Sequence, residues 1–264
     1  MTAEFIKSRQ HENVLVLSLA DEKTRNCLSE ALCTELLDEL RSASSNPTVS
    51  AIVITGEGKY FCSGGDIKAY ENLAEPRAEK VGRVLAEVYN PLVKFIFEMP
   101  KPIIASINGP CFGAGAALAL ATDIVFAGES VSFSFPFVPK LAAVPDLGTS
   151  WHLVRLIGRG AALALALTGE TISADEAARM GLIWKSVPDE QLESVVHDYA
   201  NRLARMPANA VARAKFEMTW ALINSFDAQV ALERQLQIGC FSGEEVAEAL
   251  SAISERRQPR FGRG

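Results

Sequence analysis

The run Ile107-Asn-Gly-Pro-Cys-Phe-Gly-Ala-Gly-Ala-Ala-Leu-Ala-Leu-Ala-Thr-Asp123 constrains this chain more than any other segment. An apolar strand, Ile103–Ile107, runs into a glycine-rich turn and then into a helix of small residues at 116–121. Such a helix has no polar face, so it belongs in a core where backbones approach closely. Gly113, Ala114 and Gly115 would stand at its start, where N–H groups have no intrahelical partner. No GxGxxG follows the strand, which argues against a dinucleotide fold.

A second turn of the same kind is Gly58-Lys-Tyr-Phe-Cys-Ser-Gly-Gly-Asp-Ile-Lys68, after an apolar strand at 51–55. Gly64 and Gly65 let a ligand approach the main chain, and Asp66 is placed to cap the next helix. Each turn can deliver one backbone N–H to a shared point. Two such donors would stabilise an oxyanion, such as the enolate of a thioester.

Around these turns the pattern predicts an α/β build. Strands are expected at Val14–Leu19, 51–55, Ile103–Ile107, 123–127, 131–135 and 182–187, and helices at 29–45 and 148–156. Ser173-Ala-Asp-Glu176 is a capping box, and Gly181 is a stop for its helix. After Asp189 the chain reads as helical. Leu192, Val195, Val196, Tyr199 and Leu203 form one apolar stripe, and Pro207 precedes a helix at 208–223, with two more helical stretches to Glu255. This gives a catalytic body at 1–190 and a helical region at 191–264 whose apolar faces suit oligomerisation.

The chain has 264 residues, 48% of them hydrophobic, enough for a real core. Its charge of −6 argues against a general nucleic-acid or anionic-membrane binder. Five scattered cysteines without a CxxC pair, and three separated histidines, argue against a metal site and suit a reducing cytoplasm. No secretory pattern opens the sequence, and no apolar run approaches the roughly 18–20 residues of a membrane span. The expectation is a soluble cytoplasmic protein.

The ordered set of segments is highly specific: Arg25-Asn-Cys-Leu28, Phe61-Cys-Ser-Gly-Gly-Asp-Ile-Lys68, Ile107 to Gly115, Val144-Pro-Asp-Leu-Gly-Thr-Ser-Trp151, Leu167 to Leu182, and Arg256-Arg-Gln-Pro-Arg-Phe261. Over nearly the whole chain it resembles the crotonase, or enoyl-CoA hydratase/isomerase, superfamily. The resemblance implies a spiral of ββα units with a C-terminal helical region that forms homotrimers, often stacked into hexamers. It implies an acyl-CoA thioester substrate and no separate cofactor, coenzyme A being part of the substrate. The oxyanion donors fall on the N–H groups of Gly65 and Ala114. The implied substrate-binding residues are Arg25, Leu28, Ser63, Gly64, Asp66, Ile67, Lys68, Gly113, Phe137 and Leu141. Phe241 would reach the adenine of a neighbouring subunit, and Lys59 lies beside the nucleotide segments.

The acids separate the branches of that superfamily. The hydratases' two glutamates match Ala117 and, depending on the proline used as anchor, Phe137 or Val138, none of them acidic. Asp146, in the Pro-Asp-x-Gly stretch, matches the acid of the enoyl-CoA isomerases and of the ring isomerase of phenylacetate degradation. Dehalogenases also place an aspartate there but need a histidine where this chain has Asn90. A lone carboxylate suffices for a 1,3 proton shift, and an apolar lining from Phe137, Val138 and Leu141 would raise its proton affinity. The bland alternative for Asp146 is a helix N-cap. Asp123 is expected to be structural and His152 packed. Cys62 need not face the ligand, Phe95, Phe97 and Phe135 belong to the core or the pocket, and Arg256, Arg257, Arg260 and Arg263 form a solvated tail. The favoured activity is an acyl-CoA isomerase. The alternatives are a hydratase with weak or altered activity and a non-catalytic acyl-CoA-binding homologue.

Overall fold

The computed structural model describes residues 5–71 and 76–261; Arg263 lies outside the described residues. The strands are β1 (Ile6–His11), β2 (Val14–Leu19), β3 (Ala51–Gly56), β4 (Ile103–Ile107), β5 (Cys111–Phe112), β6 (Ile124–Gly128), β7 (Ser132–Ser134), β8 (Ile172–Ser173) and β9 (Lys185–Val187). The helices of the body are α1 (Glu30–Ser45), α2 (Arg77–Val84), α3 (Asn90–Glu98), α4 (Ala114–Leu120), α5 (Phe137–Leu141), α6 (Thr149–Thr168) and α7 (Ala174–Met180). Four more follow: α8 (Leu192–Ala204), α9 (Ala208–Ala221), α10 (Phe226–Phe241) and α11 (Glu244–Glu255).

The main sheet has the order β1-β2-β3-β4-β6-β9. Only the β1–β2 pair is antiparallel, and every other neighbour is parallel. β2, β3 and β4 are apolar on both faces, as strands covered on both sides must be. One face packs against α1, α3 and α4 in the large core. The other is closed by Leu192, Val196 and Ala200 of α8 against Val14, Val53, Ile104 and Phe126. The stripe read from the sequence is therefore a cover for the sheet.

A second ladder carries the site. β5, β7 and β8 form a small sheet. Single bridges extend it through Cys62–Cys111 and Leu28–Gly65. Each ββα unit thus gives one strand to the main sheet and one rung to this ladder, which is the spiral the resemblance implies.

Local signals act where expected. The Ser29 hydroxyl accepts from the Leu32 N–H at 3.2 Å and starts α1. Ser173 does the same for Glu176 at 3.2 Å, and Gly181 closes α7 in the left-handed region. The expected strand at 131–135 is shorter, because Pro136 turns the chain into α5 and Phe137 opens a helix. Asp123 is structural: its carboxylate accepts from the Ile103 N–H at 2.7 Å and from Lys215 of α9 at 2.6 Å.

Candidate active site

The site forms where the two glycine turns meet as neighbouring rungs. The Ser63 N–H donates to the Arg25 carbonyl at 3.0 Å and the Leu28 N–H to the Gly64 carbonyl at 2.8 Å. On the other side the Phe112 N–H donates to Cys62 at 3.1 Å, and the Gly113 N–H to Ser134 at 2.9 Å. Gly64 has φ +116° and Gly113 φ +53°, conformations open chiefly to glycine. A Cβ on Gly64 would lie 3.2 Å from the Phe112 carbonyl oxygen and 3.9 Å from the Ala114 nitrogen. A Cβ on Gly65 would lie 3.9 Å from that of Ala114. A Cβ on Gly115 would stand 2.6 Å from the Cys62 Cβ, so glycine there lets the two turns close.

Gly65 and Ala114 are thereby brought together. Among the described residues, neither N–H donates to another group. Two adjacent unspent donors in a largely buried setting can hold a negatively charged oxygen.

Asp146 lies in the connection between α5 and α6. It is not the side-chain cap of the helix after it. Leu147 and Gly148 both take left-handed backbone, and α6 starts at Thr149 with Gly148 as its cap. The main-chain carbonyl of Asp146 accepts from the Thr149 N–H at 2.8 Å and its hydroxyl at 2.6 Å. Of the carboxyl, Oδ1 is buried without a hydrogen-bond partner. Burial pushes the acid up to about 6. Its charge is also felt at Tyr70, in the helical turn Ile67–Tyr70 that directly follows Gly65-Asp66.

The expected apolar lining is only partly realised. Phe137 is buried, and its ring edge lies 4.0 Å from where a Gly113 Cβ would stand. Val138 is half-buried, and Leu141, at the end of α5, is exposed. Ala117 is fully buried in α4.

The other expected residues take various places. Asp66 caps its turn by accepting from the Ala69 N–H at 3.3 Å. Ser63 Oγ donates to the Thr24 carbonyl at 3.1 Å, and Leu28 is fully buried. Arg25 lies over the Tyr60 ring at 5.2 Å, while Lys59, Ile67 and Lys68 are exposed beside the first turn. Phe241, exposed at the end of α10, is not brought to the site by this chain. Cys62 is buried beneath Gly115, its thiol pushed up to about 12 by burial. His152 packs with Phe97 and Trp151, and burial pulls it down to about 4, so it is neutral. Phe135 is core and Asn90 is exposed. In the tail, Arg257 pairs with Glu248 and Glu255, each at 2.6 Å.

Two tyrosines escaped the sequence reading. Tyr89, buried, donates its hydroxyl to the Leu28 carbonyl, and Tyr70 lines the same cavity as Tyr89. Their only sequence signal is an aromatic body with a polar tip in the segment after the first turn.

A family model described as enoyl-CoA hydratase/isomerase matches residues 9–264. The chain is 34% identical to a 1,2-epoxyphenylacetyl-CoA isomerase of Escherichia coli (strain K12), over 98% of both chains. It is 38% identical to a probable enoyl-CoA hydratase of Rhodobacter capsulatus, over 99% of both. Among solved structures, an enoyl-CoA hydratase from Bacillus anthracis superposes with a TM-score of 0.93 at 31% identity, over 99% of this chain and 100% of that one.

Proposed function

We propose that this chain, which belongs to the enoyl-CoA hydratase/isomerase family, is an acyl-CoA isomerase that shifts a double bond, or rearranges a ring, through a thioester enolate. The N–H groups of Gly65 and Ala114 bind the thioester oxygen. Asp146, as carboxylate, removes a proton from the carbon beside the thioester, and the electrons move onto that oxygen. The resulting carboxylic acid returns the proton two carbons along, the oxyanion collapses to the carbonyl, and the double bond has moved with no atom gained or lost. Each donor of such a pair typically contributes about 10²–10³ in rate, and the acid–base group about 10²–10⁴.

One observation carries this reading. Asp146 is half-buried, its Oδ1 is buried without a hydrogen-bond partner, and burial raises its carboxyl to about 6, while Ala117, Phe137 and Val138 are apolar. Hydration needs a carboxylate to take a proton from water and a carboxylic acid to protonate carbon, and the residues at those positions have no carboxyl. The name of the Rhodobacter relative favours a hydratase, which is the second reading. Arg25, Lys59 and Lys68 flank the first turn as cations for the coenzyme's phosphates, beside Ser63, Gly64, Asp66 and Ile67. Phe241 and the exposed apolar side chains of α9 and α10 are read as subunit contacts of a trimer or hexamer.

The deciding experiment follows crotonyl-CoA and 3-hexenoyl-CoA spectrally with the wild type and Asp146→Asn. The isomerase reading expects conversion of 3-hexenoyl-CoA, lost by about 10² or more in the variant, with slow hydration of crotonyl-CoA. Fast hydration of crotonyl-CoA would sink it. Binding of both without turnover would leave a non-catalytic acyl-CoA-binding homologue.

A further inference from the structure

Asp146 stands on a strained turn. The Thr149 N–H donates to the Asp146 carbonyl at 2.8 Å, which closes a four-residue turn over Leu147 and Gly148. Both central residues have positive φ, 51° at Leu147 and 79° at Gly148. That backbone belongs to the primed turns, where asparagine, aspartate and glycine are the usual occupants. Gly148 takes it freely, but a leucine there is an outlier, because its Cβ crowds the following carbonyl oxygen. Such a conformation persists only where the surroundings over-determine it, and it collects at functional sites.

Two side chains over-determine it here. Leu147 is buried in the large core. Thr149, wholly buried, donates its hydroxyl to the same Asp146 carbonyl at 2.6 Å. The peptide after Asp146 is therefore gripped twice, by an amide and by a hydroxyl, which engages both lone pairs of its carbonyl. On its N-terminal side Asp146 follows an exposed stretch, residues 141–144, and Pro145. Elsewhere threonine hydroxyls donate within their own helix, as Thr34 does to Glu30 and Thr219 to Lys215. Thr149 reaches back past the start of α6, to the residue that bears the acid. An aspartate before a helix ordinarily turns its carboxyl onto the first-turn N–H groups. Here the carbonyl takes the Thr149 N–H, and Oδ1 of the carboxyl stays buried without a partner.

We propose that Thr149 is the positioning residue of this acid, its hydroxyl fixing the peptide of Asp146 so that the carboxyl is held for proton transfer instead of turning back to cap α6. The inference rests on Asp146 being the base, as proposed above, and adds the group that sets its geometry.

Steady-state kinetics on 3-hexenoyl-CoA test it, in the wild type and in the Asp146→Asn background. Thr149→Val keeps the branched shape and removes the hydroxyl, Thr149→Ala removes it with a smaller side chain, and Thr149→Ser keeps it. The valine and alanine variants should each lose about tenfold to a hundredfold in kcat, the cost of displacing a reacting group by about 1 Å. KM should stay within about threefold, and butyryl-CoA affinity, read by calorimetry, should be unchanged. Thr149→Ser should recover kcat to within about threefold of wild type. In the Asp146→Asn background Thr149→Val should change the residual turnover by less than about twofold, because the hydroxyl acts only through the carboxylate. Wild-type kcat in the hydroxyl-free variants, a loss that Thr149→Ser does not recover, or an equal loss in the Asp146→Asn background overturns the proposal. Loss of butyryl-CoA binding in both hydroxyl-free variants would make the hydroxyl a support of the fold, and overturns it too. A wild type that binds butyryl-CoA and leaves 3-hexenoyl-CoA unconverted would instead remove the isomerase reading, and this inference with it.

Discussion

Gly65 and Ala114 face each other across two adjacent rungs, so close that a Cβ on Gly65 would lie 3.9 Å from that of Ala114. Nothing in the sequence separation of these residues demands that. It follows from the bridge between Cys62 and Cys111 and from the contact that Gly115 allows with Cys62. Both N–H groups are thus oriented by parts of the chain that have no chemistry of their own.

Proline at 114 isolates the second donor. Ala114 is the first residue of α4, a position that tolerates proline because its N–H makes no helical bond. Gly113, at φ 53° and ψ −120°, sits in the mirror image of the extended region, where the ring of a following proline fits. Ala114→Pro should lose about 10²–10³ in kcat, with butyryl-CoA affinity and circular dichroism retained. Turnover within threefold of wild type would exclude this N–H from the reaction.

Adding a methyl group at Gly115 tests the closure of the two turns. Its Cβ would meet the Cβ, Sγ and carbonyl oxygen of Cys62 at 2.6–2.8 Å, two of them in the stiff main-chain region of the turn. Gly115→Ala should cost on the order of 1–3 kcal/mol of stability, as overpacking does. It should also lower kcat more than it raises KM, because the donors spread apart. Chemical denaturation and steady-state kinetics measured together separate the two effects.

The legibility of the site in sequence followed the range of the forces involved. The glycine turns were readable because backbone conformation is a local demand, met at Gly64 and Gly113 by the residues themselves. The caps Ser29 and Ser173 were readable for the same reason. β1 was not, because it is an edge strand with only Ile6 buried, so it lacks the alternation of a half-covered strand. The helix containing α2 and α3 was also missed, since it runs through a π-helical turn at Leu85–Tyr89 that breaks the 3.6-residue period. Tyr89 is on that side of the fold, and its meeting with the Leu28 carbonyl is a matter of packing alone. Asp146 was found only through resemblance: Pro-Asp before a helix reads locally as a cap, and here the carbonyl does the capping.

The surface of α9 and α10 predicts self-association. Trp220 of α9, Ile223 in the turn after it, and Phe226 and Ile238 of α10 are exposed large apolar side chains, the kind of surface that marks contact between chains. Sedimentation should give about three or six times the 28.5 kDa chain mass. Phe226→Asp with Ile223→Asp should dissociate the assembly at micromolar concentration. A wild-type monomer at that concentration would contradict the assignment of this face.

Asp146 carries opposite expectations for activity and stability, and both can be read against pH. As a base it must be ionised, so kcat/KM should fall as pH drops through about 6, the value to which burial raises it. For stability the sign reverses. The folded protein binds this proton more tightly than the unfolded chain, whose carboxyl keeps its ordinary value of 3.8. The group is therefore harmless below pH 4 and becomes a burden as pH rises through about 6, when a charge must sit in a partly dry site. Asp146→Asn removes that burden. Allowing for the solvent that still reaches the group, the variant should be more stable than wild type by on the order of 1–2 kcal/mol at pH 8. The gain should vanish near pH 4, apart from any constant difference due to the amide. Urea titrations of both proteins at the two pH values measure this directly. A variant no more stable at pH 8 than at pH 4, relative to wild type, would mean that the carboxylate is solvated or paired in solution, and its role as the buried base would fall with it.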